Sequence, residues 1–268
     1  MSLILDGKIV AESVYARVQE EIASLPIQPK LTVVLVGEDP ASQTYVKSKA
    51  NRCEKLGLQS ETIRLPATVL ENELYSVLET LNEDVGVHGI LVQLPLPNHL
   101  SKYEVARRIS PVKDVDGLHP ENAGLLLQGR PRFAPCTPAG VIEMLDFYKI
   151  PIEGRHAVVI GRSEIVGKPA AQLLLQRNAT VTVCHSRTVA TESLTALADI
   201  LVVAMGKPES VDRTWVKPGA TVIDVGIHRV GGKLVGDVHT ESVHEVASAI
   251  SPVPGGVGPM TIAMLMQN

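Results

Sequence analysis

From Leu31 onward, short β-branched runs return at a steady cadence, with stretches of helical period between them. The runs occupy 31–36, 61–65, 88–94, 157–160, 180–184, 200–204 and 221–225. Most are continuously apolar rather than alternating, which is the pattern of a strand covered on both faces, as in a parallel sheet. The stretches between them, such as 42–56 closed by Gly57, and 71–82, have about the length a parallel crossover needs. The cadence predicts an α/β architecture.

A Pro- and Gly-rich stretch at 110–138 interrupts it, carrying Pro111, Gly117, Pro120, Gly124, Gly129, Pro131, Pro135 and Pro138. Such a segment is long for a connection inside one compact domain, and it reads as the join between two. A chain of 268 residues accommodates two domains at ~100–200 residues each. The expected boundaries are 1–120 and 121–258, with a last helix in 259–268 packing back on the first domain.

Only 3% of the residues are aromatic and the formal charge is −4, which argues against a nucleic-acid partner. Cys53, Cys136 and Cys184 are widely spaced and odd in number, so neither a disulfide framework nor a zinc site follows. His88, His99, His119 and His185 show no ligand spacing either, and no metal is expected. The start carries Asp6 and Lys8 and nowhere do ~18 apolar residues run together, so neither a signal peptide nor a membrane span is expected. A cytoplasmic protein is the reading that fits.

The nucleotide signal lies in the second series. His156-Ala-Val-Val-Ile160 is an apolar strand, Gly161-Arg162-Ser163-Glu-Ile-Val-Gly167 a turn with glycine at both ends, and a helix should follow through Leu175. That arrangement aims backbone N–H groups and a helix N-terminus at a pyrophosphate. The spacing is G-x-S-x-x-x-G, not G-x-G-x-x-G, and tight turns call for glycine on their own account. The next strand ends His185-Ser186-Arg187-Thr188, with no carboxylate between Thr180 and Ala190 to hold ribose hydroxyls. Ser186 and Arg187, with Arg162 or Ser163, can instead meet a 2′-phosphate, which favours NADP over NAD. Later strands should end in the same crevice and bring Ile227 beside the cofactor.

In the first series Tyr45 and Lys49 stand four apart on a predicted helix, hence on one face, with Lys47 pointing elsewhere. A phenol near an ammonium polarises it, and a partly buried lysine can titrate low enough for acid/base work, although the same spacing also suits an ordinary packing pair. Gln93 ends an apolar strand before Leu94-Pro95-Leu96-Pro97, where a polar side chain either faces a ligand or caps backbone groups. Asp116, in Lys113-Asp114-Val115-Asp116-Gly117, is either a turn residue or a two-point acceptor for a ligand with adjacent N–H donors.

Taken in order, Tyr45-Val46-x-x-Lys49, Gly89 to Pro97, Lys113 to Gly117, Pro135-Cys-Thr-Pro138, Gly161 to Gly167 and Pro252-Val-Pro254-Gly255-Gly-Val-Gly-Pro-Met260-Thr261 resemble the bifunctional methylenetetrahydrofolate dehydrogenase/cyclohydrolase family, from about Leu5 to the last residues. The resemblance implies oxidation of 5,10-methylenetetrahydrofolate with NADP+ and hydrolysis of the methenyl product to 10-formyltetrahydrofolate. It implies two α/β domains around a cleft, the second Rossmann-like, in a homodimer that takes a folate substrate. By that likeness Lys49 is the acid/base lysine, Tyr45 its partner stacking on the pterin, Gln93 a positioner of Lys49 and water, and Asp116 the acceptor for the pterin N–H groups. Pro254 and Gly255 match the loop closing the folate site, and Gly161, Arg162, Ser163 and Ile227 match cofactor contacts.

The sequence departs from the family in two places. His239-Thr240 follow Gly236-Asp237-Val238 where an acidic residue and an aromatic are usual, and the family's helix after Met260 normally runs on beyond Asn268. Two other readings compete. A shikimate-type NADP dehydrogenase also sets a lysine and an aspartate against NADP, but would lack the Gln93 to Pro97 and Pro252 to Thr261 motifs. A catalytically silent nucleotide-binding protein would lose Lys49 or Asp116, and both are present.

Overall fold

Burial follows the apolar runs: the strand Lys30–Val36 is buried from Leu31 onward, and Gly89–Val92, Ile200–Val203 and Thr221–Asp224 are buried throughout. In the computed structural model, which describes residues 2–268, the strands in chain order are β1 (Leu3–Ile4), β2 (Lys30–Val36), β3 (Gln59–Leu65), β4 (Gly89–Val92), β5 (His156–Ile160), β6 (Thr180–Cys184), β7 (Ile200–Val203), β8 (Thr221–Asp224), β9 (His228–Val230), β10 (Lys233–Val235) and β11 (Ala249–Ile250). Helices connect most of them, giving the α/β architecture read from the cadence. A parallel sheet of order β3-β2-β4 and another of order β1-β11-β8-β7-β5-β6 form, and β9 and β10 pair as an antiparallel hairpin.

The chain divides into two compact units. A six-stranded unit takes residues 1–14 and 134–264, and a three-stranded unit takes 15–133 and 265–268. This division departs from the boundary read near residue 120. Two of the prolines that suggested a bare connection instead begin helices, where a missing N–H costs nothing: Pro120 opens Pro120–Leu127 and Pro135 is the N-cap of Cys136–Phe147. The segment up to Phe133 therefore belongs to the three-stranded unit. At the N-terminus, Leu3 and Ile4 pair with Ala249 and Ile250, which enrols the first residues in the six-stranded unit. The last helix, Val257–Gln267, also differs from expectation, since residues up to 264 cluster with the six-stranded unit and only 265–268 with the other.

In the six-stranded unit the chain runs from β5 to β6 at the edge and then returns to β7 on the other side of β5. That reversal is the switch point at which open α/β sheets bind ligands, and the turn leaving β5 sits there. Gly161 has φ of +131°, and a Cβ on it would lie 2.3 Å from the Ala204 carbonyl oxygen. A Cβ on Gly167 would lie 2.2 Å from the Gly161 oxygen. Both glycines are thus required by close backbone approach, whatever the turn binds.

Gly161→Ala is expected to lower the free energy of urea unfolding by about 2–5 kcal/mol, the combined scale of an unfavourable φ and an overpacked contact. A loss below about 1 kcal/mol would show that the turn can open without cost.

Candidate active site

The helix Pro40–Leu56 is fixed at both ends. The Asp39 carboxylate accepts from the Ser42 N–H at 2.7 Å, Pro40 occupies the first turn, and Gly57 closes the helix in the left-handed conformation at φ +80°. With its phase set, Ser42, Val46, Lys49, Cys53 and Leu56 form its buried side and Lys47 is exposed. Lys49 is only 8% exposed, and its Nζ donates to Gln93 Oε1 at 2.9 Å. Gln93 follows β4 directly: its backbone N–H donates to the Val34 carbonyl, and its Nε2 to the Leu94 carbonyl at 2.6 Å. With its amide N occupied locally, the side-chain oxygen of Gln93 is aimed at the lysine. Tyr45, one turn before Lys49, is 44% exposed.

The motif Lys113 to Gly117 separates into anchoring and presenting residues. Lys113 Nζ donates to the carbonyls of Leu81, Asn82 and Asp84, at the C-terminal end of the helix Glu71–Glu83, where a cation is favourable. Asp114 is buried, and its carboxylate accepts from the N–H groups of Leu118 and His119 and from Asn122 Nδ2. Burial pushes the Asp114 carboxyl above the usual carboxylate range. Asp116 is half-buried, and the Val115 carbonyl before it accepts from Asn268 Nδ2 at 2.9 Å. Lys113, Asp114 and Asn122 were not singled out in the sequence, where the two aspartates of the motif look alike.

In the six-stranded unit the turn after Gly161 leads into the helix Gly167–Gln176. Ser163 Oγ accepts from the N–H groups of Val166 and Gly167, so this hydroxyl serves the turn itself. Arg162 and Ser163 are exposed. After β6, His185 Nδ1 accepts from the Arg187 N–H, and Thr188 Oγ1 from the His185 N–H. This local turn holds Ser186 and Arg187 exposed at the end of the strand. Ile227 is 48% exposed just after β8. Gly255, at φ +105°, accepts through its carbonyl from the Gly7 N–H, and Pro254 precedes it in the loop after β11. His239, which stands in place of the family's usual acidic residue, caps the helix Thr240–His244 by accepting from the Ser242 N–H.

Sequence reasoning passed over two buried carboxylates in this unit. Asp224 accepts from the N–H groups of Gly226, Asp237 and Val238. Asp237 accepts from the N–H groups of Met205, Gly206 and Lys207 and from His228 Nε2. The available signal was the mirrored pair Asp224-Val-Gly226 and Gly236-Asp237, since each glycine stands against the other segment's carboxylate. A Cβ on Gly226 would lie 2.4 Å from Asp237 Cγ, and one on Gly236 would lie 1.8 Å from Asp224 Oδ2. The three cysteines are buried and free, and among the described residues no group of three or more His, Cys, Asp and Glu could hold a metal.

Fold and site together define a two-unit α/β enzyme, one unit presenting a buried helical lysine bonded to a strand-end glutamine and the other a nucleotide-binding sheet. Two family profiles match: Tetrahydrofolate dehydrogenase/cyclohydrolase, catalytic domain, over residues 5–116, and the NAD(P)-binding domain of the same family over residues 135–268. The chain belongs to the tetrahydrofolate dehydrogenase/cyclohydrolase family. It is 54% identical to the bifunctional protein FolD of Exiguobacterium sibiricum, across 100% of this chain and 98% of that protein. Among solved structures it is similar to the FolD methylenetetrahydrofolate dehydrogenase/cyclohydrolase of Campylobacter jejuni, with TM-score 0.97, 48% identity and coverage of 100% and 96%. The Trypanosoma brucei dehydrogenase-cyclohydrolase complexed with NADP cofactor and inhibitor gives TM-score 0.93 and 38% identity, covering 99% and 95%. A shikimate dehydrogenase from Aquifex aeolicus reaches TM-score 0.59 at 13% identity, a likeness of fold alone, which leaves the shikimate reading without support.

Burial pushes the Asp224 carboxyl up to about 6, against the three N–H groups that stabilise its charge and with Asp237 adding to the rise. Because this folded value lies above the ordinary one of 3.8, the group favours the folded state when protonated. That contribution is lost as pH rises from about 4 to about 6. A carboxyl-carbon NMR titration should place the Asp224 midpoint near 6, and a midpoint near 4 would contradict the assigned burial cost.

Proposed function

We propose that the chain oxidises 5,10-methylenetetrahydrofolate with NADP+ and hydrolyses the methenyl product to 10-formyltetrahydrofolate, with Lys49 as its acid/base group. The pair of activities and the cofactor follow from family membership. The observation that carries the role of Lys49 is its burial on the helix Pro40–Leu56 with Nζ 2.9 Å from Oε1 of the strand-end Gln93. Its amine is held in place by a side-chain oxygen that cannot itself titrate, so a proton change at this pair falls on the lysine.

The two reactions make different demands. Oxidation removes hydride from the methylene carbon as the cationic methenyl bridge forms, so it needs alignment more than a base. Hydrolysis adds water to that carbon, and protons must leave oxygen and reach a ring nitrogen, which calls for a titratable group in place. Lys49 is suited to the second. Gln93 orients Lys49, Tyr45 offers an exposed ring for the pterin to stack on, and Asp116 accepts from the pterin N–H groups. On the family resemblance we assign Pro254 and Gly255 to folate binding.

Bound NADP+ supplies the hydride acceptor. The residues present suit it: the helix Gly167–Gln176 offers its N-terminus, and no carboxylate lies between Thr180 and Ala190 to repel a 2′-phosphate. Gly161, Arg162, Ser163 and Ile227 would hold the dinucleotide, and Ser186 and Arg187 its 2′-phosphate. On the family resemblance we place the enzyme in the cytoplasm as a homodimer. No helix among the described residues is long and apolar enough to cross a membrane.

Lys49→Met keeps most of the side-chain volume and removes the amine. Hydrolysis of methenyltetrahydrofolate should fall ~10²- to 10⁴-fold while NADPH still forms, so the methenyl compound accumulates and is followed by its own absorbance. Wild-type hydrolysis would mean that another group carries the protons. Arg187→Ala should weaken NADP+ by roughly 10- to 150-fold, the value of a charge-assisted contact, and leave NAD+ nearly unchanged in parallel calorimetry. Equal losses for both cofactors would refute the phosphate role.

A further inference from the structure

Asp237 takes no part in the roles assigned above, yet it is fully buried and its acceptor capacity is filled. Oδ2 accepts from the N–H groups of Met205 at 2.7 Å and Gly206 at 2.9 Å. Oδ1 accepts from the Lys207 N–H at 2.8 Å and from His228 Nε2 at 2.7 Å. An ionised carboxylate offers about four lone-pair positions, and four donors occupy them here. A saturated, buried carboxylate has nothing left for a ligand, so whatever it does it does through the groups it holds.

Those groups sit at two neighbouring strand ends. Residues 205–207 leave β7, and His228 follows Ile227 just beyond β8, the strand hydrogen-bonded to β7. Three successive N–H groups converging on one carboxylate fix the peptide planes of the loop after β7. The bond from His228 fixes the far side of Ile227, and Gly226 on the near side is tied to Asp224. The Asp237 backbone is itself held by Asp224 through its N–H at 3.0 Å. The arrangement therefore joins the loops after β7 and β8 into one body along the edge where an open parallel sheet receives its ligand.

We infer that Asp237 is a positioning residue for the nicotinamide cofactor, holding the Met205–Lys207 loop and Ile227 in the form that receives NADP+. The inference rests on the reading that these strand ends bind NADP+. It also accounts for the mirrored glycines, because Gly226 and Gly236 are the positions at which each carboxylate needs its neighbour to lack a Cβ.

Asp237→Asn is the test, since it preserves shape while turning one acceptor into a donor that faces N–H donors. In a folded variant, checked by circular dichroism and thermal unfolding, the Kd for NADP+ should rise at least ~10-fold, the scale of losing a bond to a charged acceptor. At saturating NADP+ the kcat of dehydrogenation should stay within about threefold, because no reacting atom has been touched, and methenyltetrahydrofolate hydrolysis should change as little. An unchanged NADP+ Kd, or equal falls in both activities, overturns the inference. Should Asp237→Asn fail to fold, His228→Leu removes one of the four donors, and the same criterion applies with a rise of about threefold or more as support and an unchanged Kd as refutation. Running Arg187→Ala beside it separates the two failures. If Arg187→Ala weakens NADP+ and Asp237→Asn does not, the positioning role alone is wrong. If neither does, the cofactor lies elsewhere.

Discussion

Parallel pairing is the constraint from which the sites of this protein follow. A parallel strand cannot hand the chain to its neighbour by a tight turn, so each connection must cross a face of the sheet, and every strand ends on the same edge. The three-stranded unit delivers Gln93 at such an end, and Lys49 on the crossover helix that follows β2. The six-stranded unit delivers Gly161, Ser186, Gly206, Ile227 and Pro254 just after β5, β6, β7, β8 and β11. Chemistry-bearing side chains far apart in sequence are in this way gathered without any of them lying inside a strand.

What remains for side chains is to fix those loops, and buried polar groups do it. In the three-stranded unit Lys113 and Asp114 anchor the segment that presents Asp116, one by capping a helix C-terminus and the other by collecting two N–H groups and the Asn122 amide. In the six-stranded unit Asp224 and Asp237 do the same for the loops after β7 and β8. A buried carboxylate without donors would be costly, and with several backbone N–H groups it becomes a rigid joint.

Much of this was legible in the chain. The strands fall within a residue or two of the runs read for them, and in β2, β4, β5, β7 and β8 burial on both faces leaves few polar residues to blur the signal. The helix Pro40–Leu56 was readable from its face and from Gly57. The helix Gly7–Ser24 was passed over although Asp6, whose carboxylate accepts from the Lys8 N–H, stood before it as a cap. β1 and β11 have two residues each and are defined by tertiary pairing, β1 with β11 and β11 also with β8, so no local pattern could reveal them. The same holds for sites. Lys49 and Gln93 could be nominated by spacing and strand end, but their 2.9 Å bond is tertiary. Asp114 and Asp116 are indistinguishable as letters, and only the folded chain shows that Asp114 is buried in the frame while Asp116 is half-buried.

In the proposed function one folate is held by Lys49 and Asp116 while NADP+ is held by the strand ends of the six-stranded unit. A crystal structure of the ternary complex with NADP+ and a non-reacting folate analogue tests it most directly. The expected complex has pterin N–H groups within about 3.2 Å of the Asp116 carboxylate, Lys49 Nζ beside the position of the bridging carbon, and the 2′-phosphate on Ser186 and Arg187. A folate analogue bound out of hydrogen-bonding reach of both Lys49 and Asp116 would contradict it.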